Sequence, residues 1–185
     1  MADAKRLIIE SPTYGTFTVL YDAEDHDKVS AHRWGVHKDY TKNKGKFYVT
    51  THIPHPDGGW VPRSDQHGLR RKRATLQIHR LITEAPKGMH VDHINGNPLD
   101  NRKSNLRICT HAENQRNRGA NKNNTSGYKG VHWSKTTKKW RAEIRHDNKS
   151  IHMGYFKTPE EAARAYDKKA KELHGEYAYL NFPDE

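Results

Sequence analysis

Residues 89–114 read MHVDHINGNPLDNRKSNLRICTHAEN, and this stretch decides the fold of the middle of the chain. A short apolar run at 89–94 predicts a strand, and the Asn-Gly and Asn-Pro dipeptides at 95–98 predict a turn after it. A second short strand is expected at 105–109. Two strands with a polar loop between them therefore form the first half of the predicted unit.

A helix is predicted to follow the second strand. Thr110 and Glu113 have the spacing of a capping box, in which each side chain bonds to the backbone amide of the other residue. The helix begins at His111 and runs to about Arg118, before Gly119. The predicted order of elements is therefore strand, loop, strand and helix.

Asp92 and His93 stand next to each other at the end of the first strand. Hydrolysis of a phosphodiester needs an activated water, a Lewis acid near the leaving oxygen and support for the developing charge. Aspartate supplies a hard oxygen ligand, and histidine, with an ordinary pKa of about 6.5, supplies a base. Asn114, in the first turn of the helix, is a candidate second oxygen ligand. Carboxylate, amide and water ligands are typical of Mg²⁺ or Mn²⁺ sites rather than of a closed zinc site.

These residues also have ordinary interpretations. Asp-His pairs are common, and Asn-Gly and Asn-Pro dipeptides occur in simple turns. Asn105 and Asn114 are compatible with capping or surface amides. Their joint occurrence with Asp92 and His93, on a strand, loop, strand and helix, favours the catalytic interpretation.

The spacing of Asp92-His93, Asn105 and Asn114 resembles the motif of HNH endonucleases with the ββα-metal fold. The variant with Asn in the last position is typical of homing endonucleases of phages and mobile introns. The resemblance implies that His93 is the general base and that Asp92 and Asn114 hold one divalent metal ion, Mg²⁺ or Mn²⁺. It also implies that Asn105 braces the loop and orients the His93 ring. Because the last position is Asn, a zinc-like histidine ligand is absent.

Further residues around the motif are candidates for contacts with phosphate. They are His79, Arg102, Arg107 and Arg116. For the arginines, solvation at the surface is an equal alternative. His79 recurs in the HNH pattern just ahead of the motif, and a structural role is its alternative.

The C-terminal part of the chain has a second, separate pattern. Three strands and a helix are predicted there, at residues 128–133, 139–146, 150–156 and 159–174. Thr158 as N-cap, with Glu161 three residues later, predicts the start of the helix, and Gly175 predicts its end.

Alternation along residues 140–145 gives the middle strand two different faces. The even positions, Trp140 among them, are apolar, and the odd positions hold Arg141, Glu143 and Arg145. A polar, basic sheet face could contact the DNA major groove, where Arg pairs with guanine and Glu accepts from cytosine. It could equally be the solvated face of an antiparallel sheet.

Several motifs in this part resemble the APETALA/ethylene-response-factor DNA-binding domain. They are SGYKGVHW at 126–133, WRAEIR at 140–145, GYFKTPEEAA at 154–163, AYD at 165–167 and LNFP at 180–183. The resemblance implies a three-stranded sheet, packed on one helix, that contacts the major groove. The implied DNA contacts are Lys129, Gly130, His132, Arg145 and His152, with Arg141 and Glu143 on the same face. The plant domains have Arg at positions 129 and 132 and Trp at 152, so their target sequence does not transfer.

The composition predicts a polyanionic partner. The 185 residues carry a net charge of +11, and residues 69–125 hold 12 basic and 4 acidic residues. Neutralised phosphates release counterions, so this favours nucleic acid, although ribosomal and membrane-surface proteins share such a charge. The hydrophobic fraction of 32 % favours small domains. A single cysteine, with no apolar run of signal or membrane-spanning length, predicts a soluble, cytoplasmic protein, in the nucleoid of a bacterial host if phage-derived.

The fold class expected from these patterns is α+β. Residues 1–78 are predicted to be a β-rich lead-in, with strands at 16–21, 46–53 and 74–78, a short helix at 23–31, and a phosphate-facing loop at 54–73. An HNH nuclease unit is predicted at 79–118, a linker at 119–125 and a DNA-binding domain at 126–185.

The function predicted is that of a metal-dependent HNH endonuclease of the homing type. It would hydrolyse a phosphodiester bond in double-stranded DNA, as a monomer or a dimer, with the C-terminal domain aiding site choice. One HNH site per chain cuts one strand, so nicking is expected. The alternative is a sequence-specific DNA-binding regulator with an inactive HNH scaffold. An RNA-binding protein is a weaker third interpretation.

Overall fold

The computed structural model describes residues 3–39, 45–64, 68–121 and 123–184. The predicted lead-in and linker extend over positions outside the described residues, at 1–2, 40–44, 65–67 and 122. The chain divides into two compact units, 1–109 and 110–185. The helix of the predicted nuclease unit thus belongs to the second unit, and the domain boundaries given above remain predictions.

The first unit begins with a β-hairpin. Strand β1 (Ala4–Ser11) pairs antiparallel with β2 (Gly15–Asp22) along its whole length. A 3₁₀ turn (Ala23–Asp25) and helix α1 (His26–Ser30) follow. The strand expected at 16–21 and the helix expected at 23–31 are present at these places, whereas β1 was not predicted.

A three-stranded antiparallel sheet and a second hairpin form the middle of the first unit. The sheet has the order β3–β4–β7, with β3 at Gly35–Lys38, β4 at Phe47–Pro54 and β7 at Arg73–Gln77. The segment 54–73, predicted as a loop, instead contains the paired strands β5 (Trp60–Pro62) and β6 (Leu69–Arg71). Strands of three residues are too short to show the period-two pattern that identifies a strand.

The strand, loop and strand predicted from residues 89–114 are present. Helix α2 (Ile78–Thr83) precedes them, and β8 (His90–His93) pairs antiparallel with β9 (Leu106–Cys109). A short 3₁₀ turn, Lys103–Asn105, leads into β9.

One hydrophobic core holds the first unit together. Its residues come from the β1–β2 hairpin, helix α1, strand β4, helix α2 and strand β9: Ile9, Val19, Tyr21, Val29, Val49, Ile78, Ile82 and Leu106. The core thus joins the N-terminal lead-in to the β8–β9 pair, and the described residues of the lead-in belong to the same folded body as strands β8 and β9.

The second unit starts with a short helix and continues with a sheet packed on a longer one. Helix α3 (His111–Arg116) has the capping box formed by Thr110 and Glu113, as predicted. Strands β10 (Val131–Ser134), β11 (Lys139–His146) and β12 (Lys149–Phe156) form an antiparallel sheet, and helix α4 (Pro159–His174) packs on it. The three-stranded sheet on one helix confirms the expected fold of this part.

Small side chains let helix α4 approach the sheet closely. Ala142 of β11 and Ala162, Ala163 and Ala170 of α4 are completely buried. Gly130, with φ of +75°, fits beneath the ring of Tyr166. Among the described residues, none of the helices combines the length and apolarity that crossing a membrane requires.

Candidate functional site

Strand β8 ends on the two residues that the sequence placed at the centre of the nuclease motif. Asp92 and His93 are each 7 % exposed and lie opposite Arg107 and Leu106 of β9. Polar groups buried to this degree need partners, and each has one. The partners define what each side chain can do.

Arg107 holds the Asp92 carboxylate across the β8–β9 pair. Its Nε and Nη2 donate to Asp92 Oδ2 at 2.9 and 2.7 Å, and both side chains are about nine-tenths buried. Two donors on one ionised oxygen make a strong, charge-assisted pair. Arg107 was predicted as a candidate phosphate contact, and that role remains a prediction beside the observed pairing.

Asn101 holds the ring of His93. The His93 Nε2 lies 3.2 Å from Asn101 Oδ1, and the Asn101 amide nitrogen donates to the Pro98 carbonyl, so the Oδ1 is the acceptor. Nε2 therefore carries the proton, and a further proton is accepted at Nδ1. Asn101 is completely buried. The sequence motif did not single it out, because nothing local distinguishes it from its neighbouring polar residues.

Burial keeps the His93 imidazole neutral. Removal from water lowers the pKa of His93 below its ordinary value, while the Asn101 hydrogen bond and the nearby Asp92 carboxylate act in the opposite direction. A neutral imidazole is the form that accepts a proton, which is what a general base requires.

His79 of helix α2 packs edge-on against His93. The ring centres are 5.1 Å apart, with an angle of 87° between the planes. Burial, with the neighbouring His93, lowers the pKa of His79 to about 3, so this ring is neutral as well. Its Nδ1 is buried and has no hydrogen-bond partner among the residues that the structure describes. His79 thus lies beside His93 in the site. The sequence alone had left open whether His79 has a structural role or a role in the site.

Asn105 bonds to the loop between β8 and β9. Its Oδ1 accepts from the Asn95 amide at 2.9 Å, and its Nδ2 donates to Asn95 Oδ1 and to the Asp100 carbonyl at 3.0 and 2.8 Å. These contacts correspond to a brace across the loop, whereas the hydrogen bond on the His93 ring comes from Asn101. The role of Asn105 in orienting that ring remains a prediction.

The same loop is tied to strand β2 of the lead-in. The Leu20 amide donates to the Leu99 carbonyl at 2.8 Å, and the Asn101 amide donates to the Leu20 carbonyl at 2.7 Å. The Lys103 amide donates to Asp22 Oδ2 at 2.7 Å. The lead-in therefore fixes Asn101, and through it His93, a role that the sequence did not reveal.

Arg102 pairs with a carboxylate of the same loop. Its Nε and Nη2 donate to the two oxygens of Asp100, each at 2.7 Å, and the guanidinium lowers the pKa of Asp100 below its usual value. Arg102 is partly exposed at the surface. Its predicted contact with phosphate remains a prediction.

Asn114 and Arg116 belong to the second unit, on helix α3. Both are partly exposed, and the Arg116 carbonyl at the C-terminus of the helix accepts a hydrogen bond from Lys129 Nζ. Lys129 Nζ also lies 5.3 Å from the centre of the Tyr179 ring, and burial lowers the pKa of Lys129 to about 8. Lys129 was predicted to contact DNA, but the structure places its ammonium group against α3 and Tyr179.

One face of the second unit's sheet holds most of the residues predicted to contact DNA, and that contact remains a prediction. Its residues are His132 on β10, Arg141, Glu143 and Arg145 on β11, and His152 on β12. His132 lies opposite Arg141, and Glu143 lies opposite His152. Arg141 pairs with Glu143, which also accepts from Ser150 Oγ at 2.8 Å. The structure brings these five together, whereas Gly130 lies just before β10, beneath Tyr166.

Tyr155 joins this face because of a β-bulge. The register of β11 and β12 shifts between Ala142 and Glu143, where Met153 is an extra residue on β12. After the bulge Tyr155, rather than Gly154, shares the face of His152, and its ring centre is 4.7 Å from that of His152. Tyr155 is exposed. Strict alternation of side chains along β12 would place Gly154 on this face, so the sequence pattern does not predict Tyr155 there.

Comparison with known proteins gives two family matches within the chain. The HNH endonuclease family matches residues 77–116, and the AP2 domain family matches residues 126–176. Protein 3.8 of Escherichia phage T7 is 40 % identical over 93 residues, which are 50 % of this chain and 76 % of that protein.

In two further relatives, the region similar to this chain makes up a smaller share of the relative's own length. An uncharacterized HNH endonuclease, L560, of Acanthamoeba polyphaga mimivirus is 33 % identical over 112 residues, 57 % of this chain and 57 % of that protein. Dehydration-responsive element-binding protein 2E of Oryza sativa subsp. japonica is 46 % identical over 70 residues, 37 % of this chain and 22 % of that protein. No solved structure matches the chain significantly.

Proposed function

The chain belongs to the HNH endonuclease family and carries an AP2 domain after its HNH segment, and from this premise we propose that it is a metal-dependent DNA endonuclease of the homing type. It hydrolyses one phosphodiester bond of double-stranded DNA, and the AP2 domain directs the site. The observation that carries the proposal is the buried Asp92–His93 pair, with its neutral imidazole held by Asn101.

The residues present suit a hard divalent cation. Asp92 and Asn114 would hold it, through a carboxylate and an amide oxygen, the donors that Mg²⁺ and Mn²⁺ accept. Among the described residues no group of three or more His, Cys, Asp and Glu side chains could hold a metal ion. When bound, the ion supplies Lewis-acid stabilisation of the leaving oxygen.

His93 acts as the general base. Its Nε2–H is used by Asn101, so it takes the proton of the attacking water at Nδ1. The hydrogen bond from Nε2 to the buried Asn101 side chain keeps the imidazole from rotating. Asn101, held in turn by the Leu20 carbonyl and Pro98, is a positioning residue for this step.

Positive side chains near the motif support the charge on the phosphate. Arg102 and Arg107 are already oriented by Asp100 and Asp92, which fixes their guanidinium planes in one geometry. Arg116 on α3 is the third positive side chain of the proposed set, and His79, which is neutral, is a proposed hydrogen-bonding contact to phosphate.

The AP2 sheet selects the DNA site. His132, Arg141, Glu143, Arg145 and His152 form the proposed base-contacting face, and Lys129 and Gly130 are the proposed contacts at its edge. An arginine that bonds guanine with two hydrogen bonds distinguishes it from the wrong base by roughly 1–3 kcal/mol. Because each chain has one HNH site, a monomer makes a nick, and a second chain or a second event is required for a double-strand break.

Plasmid cleavage tests the proposal. Supercoiled plasmid is incubated with the full chain in Mg²⁺, Mn²⁺ or EDTA, and His93→Ala is compared with His37→Ala, which removes an exposed histidine from β3 of the same unit. We expect metal-dependent open-circle product from the wild type and from His37→Ala, and a loss of at least roughly 100-fold in His93→Ala with binding retained.

The regulator hypothesis makes the opposite prediction. A DNA-binding protein with an inactive HNH scaffold binds a selected duplex but leaves a plasmid carrying that duplex uncut in every metal. This result, obtained with folded protein, would overturn the endonuclease proposal and leave the AP2-directed binding in place.

A further inference from the structure

The β5–β6 hairpin of the first unit carries a dense positive charge that the proposed nuclease site and the AP2 face do not use. In the described segments 54–64 and 68–77, the basic residues are Arg63, Arg70, Arg71, Lys72 and Arg73. All five are exposed. Over residues 54–77 the acidic residues are Asp57 and Asp65, so this stretch of sequence carries a net charge of +3 with histidine neutral.

Next to these charges the hairpin exposes large apolar side chains. Trp60 is 61 % exposed and Leu69 is 60 % exposed. In the antiparallel register Trp60 lies opposite Arg71, and Pro62 lies opposite Leu69, so these four side chains share one face. The Arg71 guanidinium carbon is 5.7 Å from the centre of the Trp60 ring. Adjoining exposed apolar side chains rimmed by charged residues mark an interaction surface.

Backbone hydrogen bonds connect the hairpin to the β4–β7 pair of the first unit. The Lys72 amide donates to the Gly59 carbonyl at 3.0 Å, and the Lys72 carbonyl accepts from the His55 amide at 3.0 Å. Strand β7 begins at the next residue, Arg73, and leads directly into helix α2 with His79. The hairpin is therefore part of the same unit as Asp92 and His93.

We infer that the β5–β6 hairpin is a second DNA-contacting element, which holds duplex DNA on the nuclease unit independently of the AP2 sheet. Arg70 lies opposite Val61, on the other face of the two-stranded ribbon from Trp60. With the ribbon in a groove, Arg70, Lys72 and Arg73 neutralise phosphates along the groove wall, and the Trp60 face packs against the sugar and base surface. The charge identifies the partner, because four positive charges in five residues suit a continuous polyanion such as a duplex. The inference rests on the proposed function, since DNA is the substrate there.

Salt-dependent binding of the full chain to a mixed-sequence duplex, measured in EDTA, tests the inference. Arg70→Gln/Arg73→Gln removes two charges and leaves the Trp60–Arg71 stack. We expect it to lower the slope of log affinity against log salt by about two. The matched control, Lys168→Gln/Lys171→Gln, removes two charges from the exposed side of α4, behind the AP2 sheet, and keeps the wild-type slope.

Trp60→Ala separates apolar contact from charge. We expect it to weaken binding roughly tenfold at every salt concentration, with the slope unchanged. Far-ultraviolet circular dichroism and thermal melting establish that each variant is folded. Equal slopes for the wild type and Arg70→Gln/Arg73→Gln, with equal affinity for Trp60→Ala, would overturn the hairpin inference alone. If the wild type binds no duplex at low salt, the proposed function fails together with it.

Discussion

The two units of the chain use buried and exposed polar residues in opposite ways. In the first unit Asp92, His93 and Asn101 are almost completely buried, and each is bonded to another side chain or to backbone distant in sequence. In the second unit Arg145 and His152 lie exposed on a sheet whose core is formed by its other face. The first arrangement makes the site part of the fold, whereas the second leaves a polar surface available to a partner.

This difference has a consequence for mutation. Replacing a polar residue of the first unit's site leaves a buried group without its partner, so stability and activity fall together. Replacing a residue of the exposed sheet face should remove a proposed contact with DNA and leave the fold nearly unchanged. A variant of the sheet face that loses stability, or a variant of the buried site that does not, would contradict this difference between the two units.

Gly130 is the strongest such exception, since it was predicted as a DNA contact yet its backbone is required by packing. A Cβ there would overlap the Tyr166 ring and lie 2.7 Å from the Glu143 carbonyl oxygen, at a φ of +75°. We expect Gly130→Ala to lower the free energy of unfolding by about 3 kcal/mol or more. Urea denaturation followed by circular dichroism measures this.

Gly127 is the matched control for that change. It also has a positive φ, +79°, but a Cβ there meets no atom within 4 Å. We expect Gly127→Ala to cost about 1 kcal/mol, from backbone strain alone. Equal losses for the two variants would mean that packing against Tyr166 is not what requires glycine at position 130.

A pair of arginines tests the comparison directly. Arg107→Gln leaves the Asp92 carboxylate buried without its cation, and we expect the free energy of unfolding to fall by about 3 kcal/mol, with cleavage lost. Arg145→Gln, on the exposed face, should change stability by less than about 0.5 kcal/mol. Its effect should be on binding, with affinity for a selected duplex roughly tenfold weaker.

Denaturation and a binding assay on the same two variants decide between the interpretations. If Arg145→Gln destabilises the protein as much as Arg107→Gln does, the sheet face is a structural surface and the division between the units is wrong. If neither variant is destabilised, Arg107 is held less tightly to Asp92 than its two hydrogen bonds indicate.

The sequence predicted those parts of the molecule in which local pattern determines structure. Strand β11 and helix α4 have the predicted bounds because alternation along 139–146 and the capping box at Thr158 are both local signals. The capping box of α3 was predicted for the same reason. The motif residues of the nuclease site came from spacing within 26 residues of sequence.

What the sequence did not reveal depends on contacts between distant segments. Asn101 reaches His93 only because strand β2 holds its loop, and no local pattern encodes that contact. Tyr155 joins the sheet face because of one extra residue on β12. Lys129 matches a DNA-contacting position by motif, yet its location against α3 depends on the helix that precedes the domain.

Two asparagines that brace loops, one in each unit, allow the same comparison with a smaller expected effect on stability. Asn105 makes three side-chain hydrogen bonds within the β8–β9 loop, and Asn124 accepts from the amides of Ser126 and Gly127 and donates to the Tyr128 carbonyl. We expect each replacement by alanine to cost about 2 kcal/mol of stability.

The two variants should differ in activity. Asn105→Ala should also reduce cleavage of DNA that is already bound, because its loop carries Asn101, whereas Asn124→Ala should leave cleavage at saturating protein unchanged. Single-turnover plasmid cleavage below the melting temperature of both variants measures this. Full cleavage by Asn105→Ala would remove Asn105 from the positioning of the site.

The smallest effect we predict is a pH dependence from His174 in the second unit. This ring is buried beside His146, and burial, with the positive charges of Arg116 and Lys129 close by, lowers the pKa of His174 to about 4, while Asp147 opposes the shift. The unfolded chain binds a proton at this residue below its ordinary pKa of about 6.5, whereas the folded chain does so only near 4. Between these values the unfolded state holds more protons, so the melting temperature should fall as the pH falls through that window.

The variant His174→Gln removes this contribution and should flatten the melting temperature between those two pH values. The matched control, His132→Gln, replaces an exposed histidine of strand β10 in the same unit and should keep the wild-type dependence. His79 of the first unit acts in the same direction, with a pKa of about 3, so part of the dependence should persist in His174→Gln and extend to lower pH. A dependence unchanged in His174→Gln would assign it to the first unit alone, and the buried histidine of the AP2 unit would then be protonated without cost.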